Sequence, residues 1–140
     1  MAKSTEDKLH EWAADECRRQ KVGKDRIAMM LEAEKILQKC GSKFSERDLL
    51  KAAAAVEPRN SKGYRRTPVT FANGGNSTAP DSIQRAMEQL FKFRPSLSPK
   101  DFCYELLRIH PFEDGNGRLT ACVYNVLSKT QAVDLPGYRF

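Results

Sequence analysis

The sequence predicts an all-α protein, a bundle of about six helices with a small β-hairpin flap. Apolar residues recur at helical spacing in six segments, and capping signals stand before several of them. One segment between the helices is instead rich in strand-forming residues and Gly-Asn turns. The chain has 140 residues, 40% hydrophobic and 30% charged, which is enough for one core. We therefore expect residues 1–140 to form a single domain.

The first three helices are predicted from apolar stripes and the residues that flank them. One stripe covers about 5–20 after Ser4, and a second covers 25–39. The third follows Ser45, whose capping-box spacing marks a helix start, and stops before Pro58. These segments predict three amphipathic helices that pack together through their apolar faces.

Residues 63–77 interrupt the helical pattern and predict the flap. The strand-forming residues in it are Val69, Thr70 and Phe71. An Asn-Gly-Gly-Asn run follows them and is typical of a tight turn. An ordered surface loop is the alternative, because Pro68 confines any strand here to an edge.

Three more helices follow the flap segment. Thr78 has capping-box spacing before a fourth helix, and Ser98 has it before a fifth that runs to Ile109. A sixth apolar stripe begins at Arg118 and ends near Leu127, after which the chain continues without a helical pattern. The fifth and sixth helices thus flank a short loop, 110–118, and can hold it rigidly.

The charge balance is basic. The 24 Lys and Arg residues against 18 Asp and Glu give a formal charge of +6. Two local clusters, 18–21 and 59–66, hold part of the excess. We interpret both as solvated faces with some attraction for phosphates, since no nucleic-acid motif accompanies them. No specific nucleic-acid partner is expected.

The sequence predicts a cytoplasmic protein without a membrane partner and leaves secretion into a host cell open. No apolar run approaches membrane-spanning length, and the first residues lack the apolar core of a signal peptide. The four cysteines are Cys17, Cys40, Cys103 and Cys122. They are widely spaced and form no C-x-x-C pair, which predicts buried reduced thiols instead of disulfides or zinc ligands.

The loop 110–118 concentrates the reactive side chains of the chain. Its Gly-Asn-Gly turn lets backbone N–H groups approach an anion, and the helix that follows adds the positive end of its dipole. Either Glu113 or Asp114 could hold Mg²⁺ together with phosphate oxygens. His110 can accept a proton at neutral pH. The residues therefore predict a base, a metal ligand and a phosphate site along one loop.

The nine residues from His110 to Arg118 resemble the signature of the Fic domain, H-P-F-x-[DE]-G-N-G-R, at every fixed position. The resemblance implies a Fic-like helical bundle and a protein adenylyltransferase, which moves AMP from Mg-ATP to a Ser, Thr or Tyr hydroxyl of a target protein. It implies His110 as the base, Asp114 as the Mg²⁺ ligand, Gly115, Asn116 and Gly117 as the anion hole, and Arg118 as a phosphate ligand. Glu113 falls on the variable position.

The resemblance also implies roles outside the loop. The flap residues 69–71 would align a target segment by adding a strand beside it. The family often has an arginine where this chain has Ala121, so we expect the terminal phosphate to be held weakly there.

Other functions remain open from the sequence. Relatives move UMP, phosphate or phosphocholine with the same loop, and a non-catalytic helical module could keep only the nucleotide site. A toxin with a separate inhibitory protein, a secreted effector and a viral protein would share this core.

Overall fold

The computed structural model describes residues 4–71 and 73–128. Its helices are α1 (Thr5–Arg19), α2 (Asp25–Cys40), α3 (Glu46–Val56), α4 (Ile83–Phe93), α5 (Pro99–Ile109) and α6 (Asn116–Leu127). Short 3₁₀ turns cover Pro58–Lys62, Pro80–Ser82 and Arg94–Ser96. The six predicted helices are confirmed in number and order. The predicted domain reaches residue 140, so its last part lies outside the described residues.

Serine caps begin three of these helices as predicted. Ser4, Ser45 and Ser98 each accept a hydrogen bond at 3.1 Å from the backbone N–H three residues later. At α3 the box is complete, because the Asp48 carboxylate accepts from the Ser45 backbone N–H at 2.9 Å. These local signals therefore place the starts of α1, α3 and α5.

The start of α4 differs from the prediction. Pro80 begins a 3₁₀ turn instead of the helix, and the Ser82 N–H donates to the Ala79 oxygen at 2.9 Å. The α-helix starts only at Ile83 and has no side-chain cap. The predicted Thr78 cap is therefore wrong, because the proline turn comes between that residue and the helix.

Helix α6 is the central element of the bundle. Nine of its twelve residues are buried, so it packs on nearly all sides and not only along one apolar stripe. It contacts α2, α3 and α5. The Thr120 hydroxyl donates to the Asn116 oxygen one turn earlier at 2.7 Å, so this polar side chain is satisfied inside the core. The loop before α6 is consequently attached to the most buried helix of the protein.

An aromatic cluster joins α4 and α5 to the loop after α2. Phe44, Phe91 and Phe102 meet edge to face, with ring centroids 5.7 to 6.2 Å apart. The Arg94 guanidinium lies 5.2 Å from the ring centroids of Phe44 and Phe91. This cluster fixes α5, at whose far end His110 lies.

The β-hairpin predicted for 63–77 is not shown. Among the described residues of this segment, which exclude Ala72, there is no strand but one isolated antiparallel bridge between Thr70 and Asn76. Two main-chain bonds frame it: Phe71 N–H donates to the Gly75 oxygen at 2.7 Å, and Ser77 N–H to the Val69 oxygen at 3.1 Å.

The pairing does not extend because the groups next to it are used otherwise. The main-chain oxygens of Thr67 and Thr78 accept from the side chain of Arg65, at 2.7 and 2.6 Å, and not from a facing strand. A side chain thus replaces the ladder that would have made a hairpin.

The cysteines are free, as predicted, although one of them is not buried. Cys17, Cys103 and Cys122 lie in the core, whereas Cys40, the last residue of α2, is exposed. In the described part of the chain, no helix combines the length and apolar character needed to cross a membrane.

Candidate functional site

His110 ends α5 in an unusual backbone conformation. Its φ is 52°, in the left-handed region, and its N–H donates to the Leu106 oxygen at 3.0 Å. Histidine tolerates this region better than a β-branched residue does, and the conformation turns the chain into Pro111. Burial, and then the charge of Arg65, lowers the pKa of His110 below its ordinary 6.5. The half-buried imidazole is therefore neutral at pH 7.

Arg65 holds the backbone on which His110 stands. Its side chain is 2% exposed, and it donates to the His110 oxygen through Nε at 2.5 Å and to the Ile109 oxygen through Nη2 at 3.2 Å. Its own N–H donates to the Pro111 oxygen at 2.8 Å. With the bonds to Thr67 and Thr78, this cation joins the 63–77 segment to the end of α5.

Phe71 brings the predicted flap to the imidazole. Its ring meets that of His110 edge to face, with centroids 5.5 Å apart. Thr70 is exposed and Val69 half-buried. Because the Val69 oxygen and the Phe71 N–H face residues 75–77, the N–H and C=O of Thr70 point to the opposite side. One residue of this segment thus offers open main-chain groups beside His110.

Asn116 closes the loop between the two helices. Its side-chain oxygen accepts from the Phe112 N–H at 3.1 Å, and its side-chain nitrogen donates to the Phe112 oxygen at 2.9 Å. Phe112 itself is fully buried. The Asn116 amide is therefore used inside the loop, and only its main-chain N–H faces the helix start. Sequence reasoning placed this residue in the anion hole without foreseeing that role.

Gly115 is required by its backbone conformation and a close neighbour, whereas Gly117 lies against the flexible side chain of Gln20. Gly115 has a φ of +76°, and a Cβ there would lie 2.5 Å from Val56 Cγ1. A Cβ on Gly117 would lie 2.7 Å from the Oε1 atom of Gln20 at the end of α1. The first helical bond of α6 is made by the Leu119 N–H to the Gly115 oxygen at 2.9 Å. The N–H groups before it lie at the open N-terminus of α6.

Arg118 lies under this helix start and not on its surface. Helix α6 begins at Asn116, two residues before the predicted start, since Gly115 in the left-handed conformation serves as its N-cap. Arg118 is 1% exposed, and its Nε atom has no hydrogen-bond partner. Its Nη1 donates weakly to the Val56 oxygen at 3.4 Å. A buried guanidinium with an unused donor fits an anion at this position.

Asp114 lies between two arginines. Arg59 Nη2 is 2.9 Å from its Oδ2 atom, and Arg118 Nη2 is 3.6 Å from its Oδ1 atom. Its Oδ1 also accepts from the Gly115 N–H at 2.7 Å. The carboxylate is 45% exposed, whereas Glu113 is exposed on the outside of the loop. Asp114 therefore offers a reachable carboxylate oxygen, which is the ligand that Mg²⁺ prefers.

The 3₁₀ turn Pro58–Lys62 supports Asp114 from the side of α3. Asn60 is buried and donates through Nδ2 to the Asp114 main-chain oxygen at 2.8 Å and to the Ala53 oxygen at 3.1 Å. Glu57 accepts from the Arg59 N–H at 3.1 Å and pairs with Arg26 at 3.0 Å. Although burial acts to raise the pKa of Glu57, these contacts hold it below its usual range.

Sequence reasoning missed four residues that shape the site: Gln20, Arg59, Asn60 and Arg65. Three of them lie in the basic cluster 59–66, which was interpreted as a solvated face with some attraction for phosphates. That interpretation is wrong for Arg65, which is buried, and incomplete for Arg59, which pairs with Asp114. The cluster itself was the one available signal, because the contacts of Arg59, Asn60 and Arg65 with the loop 110–118 join residues far apart in sequence.

Comparison with protein families gives a match over most of the chain. The model of the Fic/DOC family matches residues 9–128, which includes most of α1, all of α2 to α6 and the whole loop 110–118. The comparison with curated proteins found no match.

Proposed function

Since the chain belongs to the Fic/DOC family and so to a group of Fic-fold transferases, we propose that it is a protein adenylyltransferase. It moves AMP from Mg-ATP to a Ser, Thr or Tyr hydroxyl of a target protein. One observation carries the proposal: a neutral imidazole and a helix N-terminus with an unpartnered guanidinium nitrogen lie at the two ends of one rigid loop. Such a loop can position a nucleophile against a phosphate.

His110 is the general base of the proposed reaction. It takes the proton from the target hydroxyl while the hydroxyl oxygen bonds to the α-phosphorus of ATP. The bond from that phosphorus to the oxygen shared with the β-phosphate breaks, and pyrophosphate leaves. Its lowered pKa keeps the imidazole able to accept the proton at neutral pH.

The start of α6 binds the phosphates. The backbone N–H groups around Gly117 and the positive end of the helix face them, and the unused Arg118 Nε donates from below. Gln20 lies against Gly117 at this helix start. Asp114 would hold Mg²⁺, which when bound supplies charge neutralisation for the phosphates and the departing pyrophosphate.

The target protein binds along the 63–77 segment. The outward N–H and C=O of Thr70 form an open edge beside His110, so an extended segment of the target can pair with them. Main-chain pairing sets the register of the target and leaves its hydroxyl free to meet the imidazole. This mode places few demands on the target sequence.

The test is transfer from labelled nucleotides to proteins of a cell lysate, with wild-type protein and His110→Ala. We expect AMP transfer by the wild type and a loss of about 10²- to 10⁴-fold in the variant. Binding of Mg-ATP should stay within about twofold, because the base contacts only the hydroxyl. His10→Ala is the matched control, since His10 is the other histidine of the chain and is exposed on α1.

Other outcomes would change the assignment. Transfer of UMP or of phosphate in place of AMP would make the protein a Fic-fold transferase of another group. Tight Mg-ATP binding without any transfer would make it a non-catalytic nucleotide-binding module. A His110→Ala variant within about threefold of the wild type would remove His110 from the reaction, since a general base contributes far more.

A further inference from the structure

Arg59 is the exposed member of the two arginines that flank Asp114. Its guanidinium lies 2.9 Å from one carboxylate oxygen and is 64% exposed, whereas Arg118 approaches the other oxygen at 3.6 Å and is 1% exposed. The same carboxylate thus has a buried cation on one side and a solvent-facing cation on the other. Ala121, one turn further along α6, contributes no charge.

The charges of this cluster balance only while no cation is bound. Three guanidinium groups, those of Arg26, Arg59 and Arg118, meet three carboxylates, those of Asp25, Glu57 and Asp114. The shortest contact of Glu57 is with Arg26 at 3.0 Å, and that of Arg59 is with Asp114 at 2.9 Å. A cation bound at Asp114 would leave an excess of positive charge. With such a cation in place, the cluster favours an anion with several charges.

The position of Arg59 does not depend on its ion pair. The Arg59 N–H donates to Glu57, and the neighbouring Asn60 binds the Asp114 main-chain oxygen at 2.8 Å. The turn that carries Arg59 is thus fastened to the loop through a neutral, buried side chain. If Asp114 exchanges its partner, the guanidinium stays next to it, keeps only the longer contact to Glu57 at 3.4 Å, and can bind an anion.

We propose that Arg59 binds the terminal phosphates of the nucleotide when Asp114 binds Mg²⁺ in place of Arg59. Two observations support this proposal. The exposed guanidinium of Arg59 pairs with Asp114, the proposed metal ligand, and the backbone that carries Arg59 is held beside Asp114 by a separate hydrogen bond from Asn60. Arg59 then supplies a phosphate contact that Ala121 cannot. The proposal rests on the proposed function, since it assigns a subsite within the same nucleotide site.

The experiment is calorimetric titration of the full chain with ATP, ADP and AMP in Mg²⁺, comparing the wild type with Arg59→Gln. Losing a charge-assisted phosphate contact should weaken ATP binding about tenfold or more, ADP less, and AMP less than about twofold. Arg59→Lys should recover part of the loss, because it restores the charge but not the planar fork. Arg85→Gln, an exposed arginine on α4, removes the same charge elsewhere and should change each affinity less than about twofold.

Each contrary result has its own meaning. If Arg59→Gln binds ATP as tightly as the wild type, or more tightly because Asp114 is freed for Mg²⁺, the proposal is overturned and Arg59 only neutralises Asp114. An equal loss for ATP, ADP and AMP would likewise overturn it, since the effect would not follow the phosphate chain. If the wild type binds none of the three nucleotides, the proposed function fails first and the subsite with it.

Discussion

The side chain of Arg65 donates to the main-chain oxygen of His110 at 2.5 Å across 45 positions of sequence. It also binds the oxygens of Ile109, Thr67 and Thr78 and the hydroxyl of Ser77. All three nitrogen atoms of the guanidinium thus donate hydrogen bonds to main-chain oxygens, and the residue is only 2% exposed. Arg65 therefore positions His110, the proposed base, and the segment over it, and it is not available for a phosphate.

Arg65→Met should destabilise the protein and lower transfer together. The substitution leaves several half-buried carbonyl oxygens without donors, so we expect a loss of at least about 2 kcal/mol in the free energy of unfolding. Urea unfolding measures the stability, and the labelled transfer assay measures activity. Arg66→Met is the matched control. Arg66 is the exposed neighbour of Arg65, so its substitution should change the free energy of unfolding by less than about 0.5 kcal/mol. Equal effects of the two variants would contradict the positioning role.

The pH dependence of kcat/KM should show an acid limb below 6.5. Burial, followed by the charge of Arg65, lowers the pKa of His110 in the free protein, so the imidazole stays neutral until the pH falls below its ordinary 6.5. Activity is lost as the pH drops through the lowered pKa, because the protonated ring accepts no proton. Replacing Arg65 should move this limb upward. A limb above pH 7 in the wild type would mean that another group limits the rate.

Asp114→Asn should weaken Mg²⁺-dependent binding of ATP, whereas Glu113→Gln should not. The Asp114 carboxylate lies between Arg59 and Arg118, while Glu113 is exposed on the outside of the loop. Losing the carboxylate removes the proposed metal ligand and the nearest negative charge from both arginines, so binding without Mg²⁺ should hold or improve. Titrations with Mg²⁺ and with EDTA separate the two effects. Sensitivity at Glu113 in place of Asp114 would shift the metal ligand by one residue.

Thr70→Pro should reduce modification of a target protein more than nucleotide hydrolysis. The proline removes the outward N–H of Thr70, which lies on the open side of the bridge to Asn76, and leaves the loop 110–118 unchanged. Thr70→Val is the control, because it loses the hydroxyl but keeps the N–H. We expect a loss of about fivefold or more in target modification, because that factor corresponds to the free energy of about one hydrogen bond between uncharged groups. If both variants behave alike, the main chain of Thr70 does not bind the target.

The amino-acid sequence by itself determined the helices and the chemical content of the loop. The spacing of apolar residues and the caps Ser4, Ser45 and Ser98 act over one or two turns, so they could be read without knowing the rest of the chain. The run from His110 to Arg118 brings its own turn and its own reactive groups. Its residues lie together in the structure because they are neighbours in the chain.

The tertiary structure decided what each of these groups faces. Arg118 is buried because α6 is the centre of the bundle, and Asn116 is used within the loop because Phe112 packs into the core. The contacts of Arg59 and Arg65 with the loop join residues 55 and 45 positions apart. No local pattern encodes such distances, since they depend on how whole helices pack. The predicted hairpin is not shown for a related reason: the buried side chain of Arg65 binds the carbonyl oxygens of Thr67 and Thr78, and local strand preference does not override these contacts.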